Sequence, residues 1–453
     1  MNWLVSVWLG WSGVLWGTML LSWPFGLSRP EDQSLMSMQP QPWPEPADDV
    51  AQAVQAMYAG RRAPLAVVVR DELDAVFADV EFAEAFAVRG QPGWSPGRLA
   101  MITVLQAAED LTDVQAAAAV RLRLDWKYLL GLSLADRGLD DSVLSEFRTR
   151  VVDHGLEARV LDLLVARLVD KGLLKARGKQ RTDSTHVLAA VRQLNQIELV
   201  GETVRACVEA LAAAAPDWVA ARLDVGWQRR YGARVDSWRM PASMTKRAAL
   251  GADYARDGAA LLRAVWDPSS PAWLAHLPAV EVLRRVLIQN VVVDVDRGGR
   301  EVIRLREADT DGLPPGRCRI VSPYDTDARW GGKRDLTWNG YKLHISESCD
   351  AEPPTAAVDD VPDTPPNLIT NVATTDWQTK YARRAGVEAT IAQAVKVTNI
   401  RRARYRGLPK TRLEHNTMAA ALNLIRLDAW WNGEFLDSRR TTHLSRLELA
   451  PAA

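Results

Sequence analysis

The chain has 453 residues, of which 47% are hydrophobic, and its 56 basic residues balance 56 acidic ones. This length and apolar content predict a globular protein with a sizeable core, divided into two or three units. A formal net charge of zero excludes a uniformly cationic protein that coats nucleic acid, so contacts with a polyanion must come from local patches. Three scattered cysteines, Cys207, Cys318 and Cys349, exclude a disulfide framework and a cysteine zinc site, as expected in a reducing cytoplasm.

The first 28 residues form an uncharged, tryptophan-rich segment that is long enough to cross a bilayer. No basic region precedes it, no small-residue cleavage site follows it, and Pro24 ends it early. Two interpretations stay open: a membrane anchor, or upstream DNA translated in frame, with the native start at Met36 or Met38. We favour the second and expect residues 1–35 to be a non-native or disordered extension.

Helix signals fill residues 48–175. Ser95 is a predicted N-cap followed by proline, Thr112 and Gln115 form a predicted capping box, and Asp141 is predicted to cap the next helix. Such short helices joined by turns suit either a helix-turn-helix-like bundle that docks on DNA or a plain helical cap domain. One tract is assigned to core packing through three large residues, Trp126, Tyr128 and Leu129.

An aspartate stands inside the next β-favouring run. Three basic residues, Lys175, Arg177 and Lys179, precede a run that contains Asp183. A carboxylate is disfavoured in a strand unless it has a role, so Asp183 is a candidate functional residue. The alternative is that its carboxylate simply caps the following turn.

The middle of the chain reads as a helical insertion followed by β-structure. Residues 195–288 have helical patterns, and the run after them predicts a hairpin that turns at residues 296–299. The next loop holds Asp325 and Asp327, whose D-x-D spacing points both side chains the same way on an extended chain. They are candidate metal ligands, although we favour a surface turn.

Two further strands and two helices complete the pattern. Residues 341–345 alternate as a strand should, and NLITNVATT predicts a second strand beside it. A helix carrying Glu388 follows, and residues 417–431 predict an apolar helix that ends in two core tryptophans, Trp430 and Trp431. These features indicate part of an α/β sheet.

Charge is segregated between Tyr381 and Asn416. Between Lys396 and Arg412 there are seven Lys/Arg residues and no acidic one. A basic face beside the lone carboxylate of Glu388 suits a protein that holds a phosphodiester backbone next to a metal. The alternative is a solvated basic helix.

Several motifs together are specific enough to name a family. They are RTDSTHVLAAVR; SPYDTDARWGGKR with GYKLHI; and YARRAGVEATIAQAV with RRARYRGLPKTRLEH and AALNLIRLDAWW. These motifs resemble bacterial insertion-sequence transposases of the DDE class, closest to the insertion-sequence family numbered eleven eighty-two. The Y-x2-R-x3-E signature falls on Tyr381, Arg384 and Glu388, and Val395 stands where its closing lysine is usual, one residue before Lys396.

The resemblance implies an α/β fold with an RNase H-like, five-stranded mixed sheet flanked by helices. Its active site holds two Mg²⁺ or Mn²⁺ ions on acidic side chains, with Asp183 as the first carboxylate and Glu388 as the last. The resemblance and the basic face together nominate nine DNA-contacting residues: Tyr381, Arg384, Lys396, Arg401, Arg402, Arg404, Arg406, Lys410 and Arg412.

The middle aspartate of the family has no counterpart at its usual place. Only residues 376–380 separate the second strand from the signature, and five residues extend at most about 18 Å, too short for a strand plus its connection. We interpret this junction as an internal deletion. Asp350 and Asp376 are minor alternatives for the lost ligand.

The expected protein is therefore a transposase by descent with impaired catalysis, and the alternative is a DNA-binding remnant that competes for terminal repeats. A third class, a membrane-associated protein, depends on the first 28 residues alone. Expected partners are double-stranded DNA and a second copy in a homodimer, in the cytoplasm at the nucleoid. The predicted boundaries are 1–35, a helical DNA-binding-like domain at 36–175, an RNase H-like domain at 176–435 and a tail at 436–453.

Overall fold

The computed structural model describes residues 36–333, 336–349, 365–375 and 388–433. Its helices are α1 Asp48–Tyr58, α2 Leu65–Leu73, α3 Pro96–Ala108, α4 Asp113–Leu122, α5 Leu124–Leu130, α6 Asp141–Asp153, α7 Arg159–Asp170, α8 Gln196–Ala214, α9 Pro216–Ala220, α10 Val225–Tyr231, α11 Met244–Val265, α12 Pro278–Asn290, α13 Ala308–Asp311, α14 Glu388–Thr398 and α15 Leu408–Trp431. Its strands are β1 Met36–Ser37, β2 Gln91–Pro92, β3 Gln180–Leu188, β4 Val291–Val295, β5 Glu301–Leu305, β6 Arg329–Lys333, β7 Leu336–Ser348 and β8 Ile369–Thr375.

Helix starts in the N-terminal part follow the predicted capping chemistry, with one correction. Ser95 accepts a hydrogen bond from the backbone of Arg98, and Thr112 and Gln115 form the complete capping box. The prediction for Asp141 was wrong by one residue, because Asp140 is the cap and accepts from Ser142 N at 3.0 Å. A cap has extended backbone geometry, which Asp140 has, whereas Asp141 is already the first residue of α6.

The prediction of helices between residues 195 and 288 is confirmed. Helices α8 to α12 surround their own apolar core, which includes Val200, Val204 and Leu283. The hairpin of β4 and β5 follows directly, and Asp296 closes its turn by accepting from Gly298 N at 2.7 Å and Arg300 N at 2.9 Å.

The larger sheet is antiparallel throughout its named strands. β7 lies at its centre, with β3 on one edge and both β6 and β8 on the other. The expectation of a five-stranded mixed sheet is therefore not met in the described residues, which supply four strands. One parallel element is present: Leu188 N donates to Arg401 O at 2.7 Å and Ala403 N donates to Leu188 O at 2.9 Å, on the free edge of β3.

Helix α15 lies at the centre of the main core. Its buried side chains occur all around the helix, and it packs against α2, α3, α6 and α7 on one side and against β8 and α14 on another. Asn423 fixes it to the sheet, since its amide exchanges two hydrogen bonds with the backbone of Ile369, at 2.7 and 2.8 Å. Trp430 and Trp431 pack half-buried at its end.

The tract assigned to core packing is confirmed in two of its three residues. Trp126 and Leu129 are fully buried, whereas Tyr128 is half-buried and donates a hydrogen bond to Asp71. No helix in the described ranges combines the length and apolar character that a membrane span needs. The first 28 residues lie outside those ranges.

We predict that Gly340→Ala breaks the sheet at the point where β3, β6 and β7 meet. A Cβ at Gly340 would lie 1.9 Å from Val187 O and 2.8 Å from Ala189 N, so the two strands would have to separate. The expected loss in the free energy of unfolding is about 3 kcal/mol or more, measured by denaturant titration. Gly332→Ala is the matched control, because its Cβ would meet nothing nearer than 3.3 Å. Equal stability of the two variants would contradict the prediction.

Candidate functional site

Asp183 lies on the face of the sheet that packs against the core. Along β3 it alternates in phase with Thr185 and Val187, which are buried, and it pairs directly with Ile345 of β7. The Asp183 side chain itself is half-buried. A strand therefore presents this carboxylate in a fixed direction, which is inconsistent with a simple turn cap.

A buried ionic network stands beside Asp183 on the same face. Glu347 pairs in register with Arg181, is fully buried, and binds Arg181 at 2.6 Å and Arg426 of α15 at 3.2 Å. The hydroxyl of Thr390 on α14 donates a third hydrogen bond to the same carboxylate. Burial of an isolated polar group is costly, so these three partners offset the cost of burying the Glu347 side chain.

This network joins the strand of Asp183 to the helix that begins at Glu388. Arg181 lies two residues before Asp183, and Thr390 lies two residues after Glu388, so one carboxylate holds both elements together. The structure thus links the two elements that carry the predicted carboxylates through Glu347 of β7. The side chain of Glu388, and all of Tyr381 and Arg384, lie outside the described residues.

The described side chains do not fit a two-metal centre. No group of three or more His, Cys, Asp or Glu residues that could hold a metal occurs among them. Glu347, the neighbouring carboxylate on this face, is already neutralised by two arginines. Only Asp183 is available from the described part of the chain, and Asp350 and Asp376 lie outside it.

The D-x-D loop is structural, and its interpretation as a surface turn was wrong for Asp325. This residue is only 2% exposed and accepts hydrogen bonds from the hydroxyl of Tyr341 at 2.6 Å and from Gly407 N at 3.2 Å. Asp327 accepts from Leu408 N at 3.0 Å. Both carboxylates therefore satisfy backbone donors at the start of α15, where the helix dipole favours negative charge. Burial, together with Asp325, raises the pKa of Tyr341.

The basic segment before α15 is largely engaged within the protein. Arg404 binds the carboxylate of Asp110 and donates to Leu111 O at 3.1 Å, and Arg412 donates to Thr374 O at 3.1 Å. Arg401 donates to the hydroxyl of Thr185, and the Arg406 guanidinium lies 5.6 Å from the centre of the Tyr324 ring. In the described part of the chain, no hydrogen bond or ion pair engages the side chains of the remaining three predicted DNA contacts, Lys396, Arg402 and Lys410.

Burial shifts the pKa values of two adjacent residues of α15 in opposite directions. Glu414 accepts from the backbone of Arg404 and lines a cavity of about 40 Å³ with Arg148 and Tyr405. Burial raises the pKa of Glu414 to about 7. His415 bonds Thr374 at 2.7 Å, and complete burial lowers its pKa to about 4.

Sequence reasoning missed Glu347, although a signal was present. Tyr341, Leu343 and Ile345 face the core at alternate positions of β7, and Glu347 continues the same phase. A carboxylate on the buried face of a strand requires cationic partners, so this position could have been singled out.

Comparison with known proteins matches two segments of the chain to transposase family models. The family model described as "Transposase domain (DUF772)" matches residues 57–150, and that described as "Transposase DDE domain" matches residues 365–428. No curated protein and no solved structure matches the chain significantly. The two matches support an insertion-sequence transposase, and DDE transposase domains normally use divalent metal ions.

The two matched segments pack against each other. Helix α3 of the first contacts α15 of the second, and Arg404 of the second pairs with Asp110 of the first. Arg62 similarly pairs with Asp428 at 2.8 Å, and the Arg148 guanidinium stacks on the Tyr405 ring at 5.1 Å. Both transposase segments therefore contribute to one core.

We predict that Arg426→Met destabilises the protein strongly. In this variant Glu347 would keep its ion pair with Arg181, which is partly exposed. It would lose its ion pair with the buried Arg426. Breaking a buried ion pair costs about 3–5 kcal/mol, measurable by denaturant unfolding. The control is Arg263→Met, which removes an exposed pair with Glu301 and should cost less than about 1 kcal/mol. A similar small loss in both variants would show that the Glu347 network does not hold the strand and helix together.

A second prediction follows from Glu414. Its pKa is about 7 when folded against 4.5 when unfolded, so between these values the folded state holds a proton that the unfolded state releases. Its contribution to stability therefore falls as pH rises from 4.5 to 7, by an amount on the order of 3 kcal/mol. His415, with its lowered pKa, has the opposite slope between about pH 4 and 6.5 and masks this fall in the wild type.

Glu414→Gln should remove the falling contribution. The variant's stability relative to the wild type should rise from pH 4.5 to 7 and then level off, as measured by denaturant unfolding at each pH. Glu209→Gln is the control, since the Glu209 side chain is 61% exposed. Parallel curves for wild type and Glu414→Gln would contradict the prediction.

Proposed function

We propose that this chain is an insertion-sequence transposase of the DDE class by descent, from the family numbered eleven eighty-two, that binds double-stranded DNA with impaired strand cleavage. The observation that carries the proposal is the Glu347 network. Through β7, it links the strand of Asp183 to the helix that begins at Glu388, within a core to which both transposase segments contribute.

The sheet supports an RNase H-like arrangement for this core. β8, β7 and β3 lie in antiparallel order, and residues 401–403 add a parallel bridge on the free edge of β3. Antiparallel strands on one side of β3 and a parallel segment on the other are the two components of a mixed sheet.

Catalysis in this class needs a third carboxylate that the chain does not supply at its usual position. Asp183 and Glu388 remain as the proposed ligands of Mg²⁺ or Mn²⁺, two hard cations that prefer carboxylate oxygen. With the middle aspartate absent from the junction at 376–380, one of the two metal positions would lack its bridging ligand. DNA binding is independent of this ligand and is retained in the proposal, with a homodimer on paired ends as the working unit.

The test compares DNA binding with DNA cleavage. We expect salt-sensitive binding to duplexes taken from both sides of the coding region, with log affinity falling linearly against log salt concentration. We expect no nicking of the same duplexes with Mg²⁺ or Mn²⁺, measured on denaturing gels. Efficient nicking that is abolished by Asp183→Asn would overturn the impaired-catalysis proposal, and salt-insensitive or absent binding would overturn the DNA-binding proposal.

A further inference from the structure

A second concentration of positive charge precedes the strand of Asp183. Residues 171–181 carry five basic side chains and no acidic one. Four of them form what we call the basic turn, defined by Lys171, Lys175, Arg177 and Lys179, and all four are exposed. Within the described ranges, no hydrogen bond or ion pair engages any of these four side chains.

The basic turn contrasts with the segment before α15. There, Arg401, Arg404 and Arg412 donate to partners within the protein. The charge of Arg404 is neutralised by Asp110, and a phosphate would have to compete with Thr185 and Thr374 for the donors of Arg401 and Arg412. On this ground the basic turn is a better electrostatic surface for a polyanion than the segment with the greater density of charge.

The backbone of the turn is strained at Arg177, which is exposed. Arg177 has φ +61°, in the left-handed region that glycine adopts readily, and the turn closes by a hydrogen bond from Gly178 N to Lys175 O at 3.2 Å. A non-glycine residue in this region costs on the order of 1 kcal/mol. Glycine would relieve that cost, so an arginine here indicates that its side chain is needed.

The turn is joined to the sheet near Asp183. Cys349 N donates to Lys179 O at 2.9 Å, and β3 begins at the next residue. With a rise of about 3.3 Å per residue, Lys179 lies about 13 Å along the strand from Asp183. This separation equals roughly four base pairs of duplex DNA.

We infer that the basic turn is a contact surface for the phosphate backbone of duplex DNA, which positions the duplex beside the strand of Asp183. The inference rests on the proposed function and adds to it a surface that the basic segment at 396–412 does not include. Lysine and arginine at this spacing contact phosphates without reading base sequence, so the contribution is to affinity and placement.

The test is a triple variant, Lys175→Gln, Arg177→Gln and Lys179→Gln, in the full chain. Each lost phosphate contact lowers the magnitude of the salt slope by about 0.9, so the slope should fall by about 2 to 3, with weaker binding at low salt. The matched control is Arg229→Gln, Arg234→Gln and Lys246→Gln, which removes three exposed charges from the helical insertion. The control should leave the slope unchanged.

The variant Arg177→Gly separates the effect of the backbone strain from the effect of the side-chain charge. Relief of the left-handed strain should raise the midpoint of thermal unfolding, while loss of the charge should weaken DNA binding. A purely structural role for Arg177 would not produce these opposite changes.

The outcomes distinguish this inference from the proposed function. Absence of DNA binding by the wild type would overturn the proposed function. Normal wild-type binding with an unchanged slope in the turn variant, or with equal losses in turn and control variants, would overturn the inference alone. An unchanged slope with lower stability would assign the charges a structural role and would also overturn it.

Discussion

The burial of α15 is the constraint on which the rest of the structure depends. A helix that is surrounded on all sides cannot satisfy its ends with water, so other parts of the chain must supply partners. At its start, Asp325 and Asp327 accept hydrogen bonds from the backbone of Gly407 and Leu408. Along its length, the side-chain amide of Asn423 makes the two backbone hydrogen bonds with Ile369 that a neighbouring strand would otherwise make. The helix thus connects the N-terminal helices to the sheet and fixes where each can lie.

This constraint changes the meaning of the charge pattern at 396–412. As a sequence, the segment has the charge density of a DNA-binding surface. In the folded chain it is also the approach to a buried helix, and its arginines neutralise Asp110 and cap carbonyl groups such as that of Thr374. Charge density alone does not distinguish an arginine that binds protein from one that is free to bind a phosphate. The hydrogen-bond and ion-pair partners of each side chain do distinguish the two cases. They draw attention to the smaller group of basic residues that precedes β3.

Much of the fold could be predicted from local patterns. Capping residues located the starts of α3 and α4, and alternation located β7, because these signals depend on a few neighbouring residues. The burial of Asp325 could not be predicted in this way. Its D-x-D loop has the composition of an exposed turn. Asp325 is buried in the fold, where it accepts a hydrogen bond from Gly407, 82 residues later in the chain. The sheet's exact composition was missed for the same reason, since the bridge between Leu188 and Arg402 is a long-range contact.

The candidate site shows the same division between local and long-range information. Asp183 could be found from its strand, because a carboxylate in a β-run is locally anomalous. Glu347 is equally anomalous in its strand, but its role depends on Arg426, 79 residues away, and on Thr390. Its carboxylate joins the strand and the helix of the proposed catalytic residues. Such a network stabilises the arrangement whether or not a third carboxylate completes the site, so loss of the middle aspartate would remove catalysis while leaving this scaffold intact.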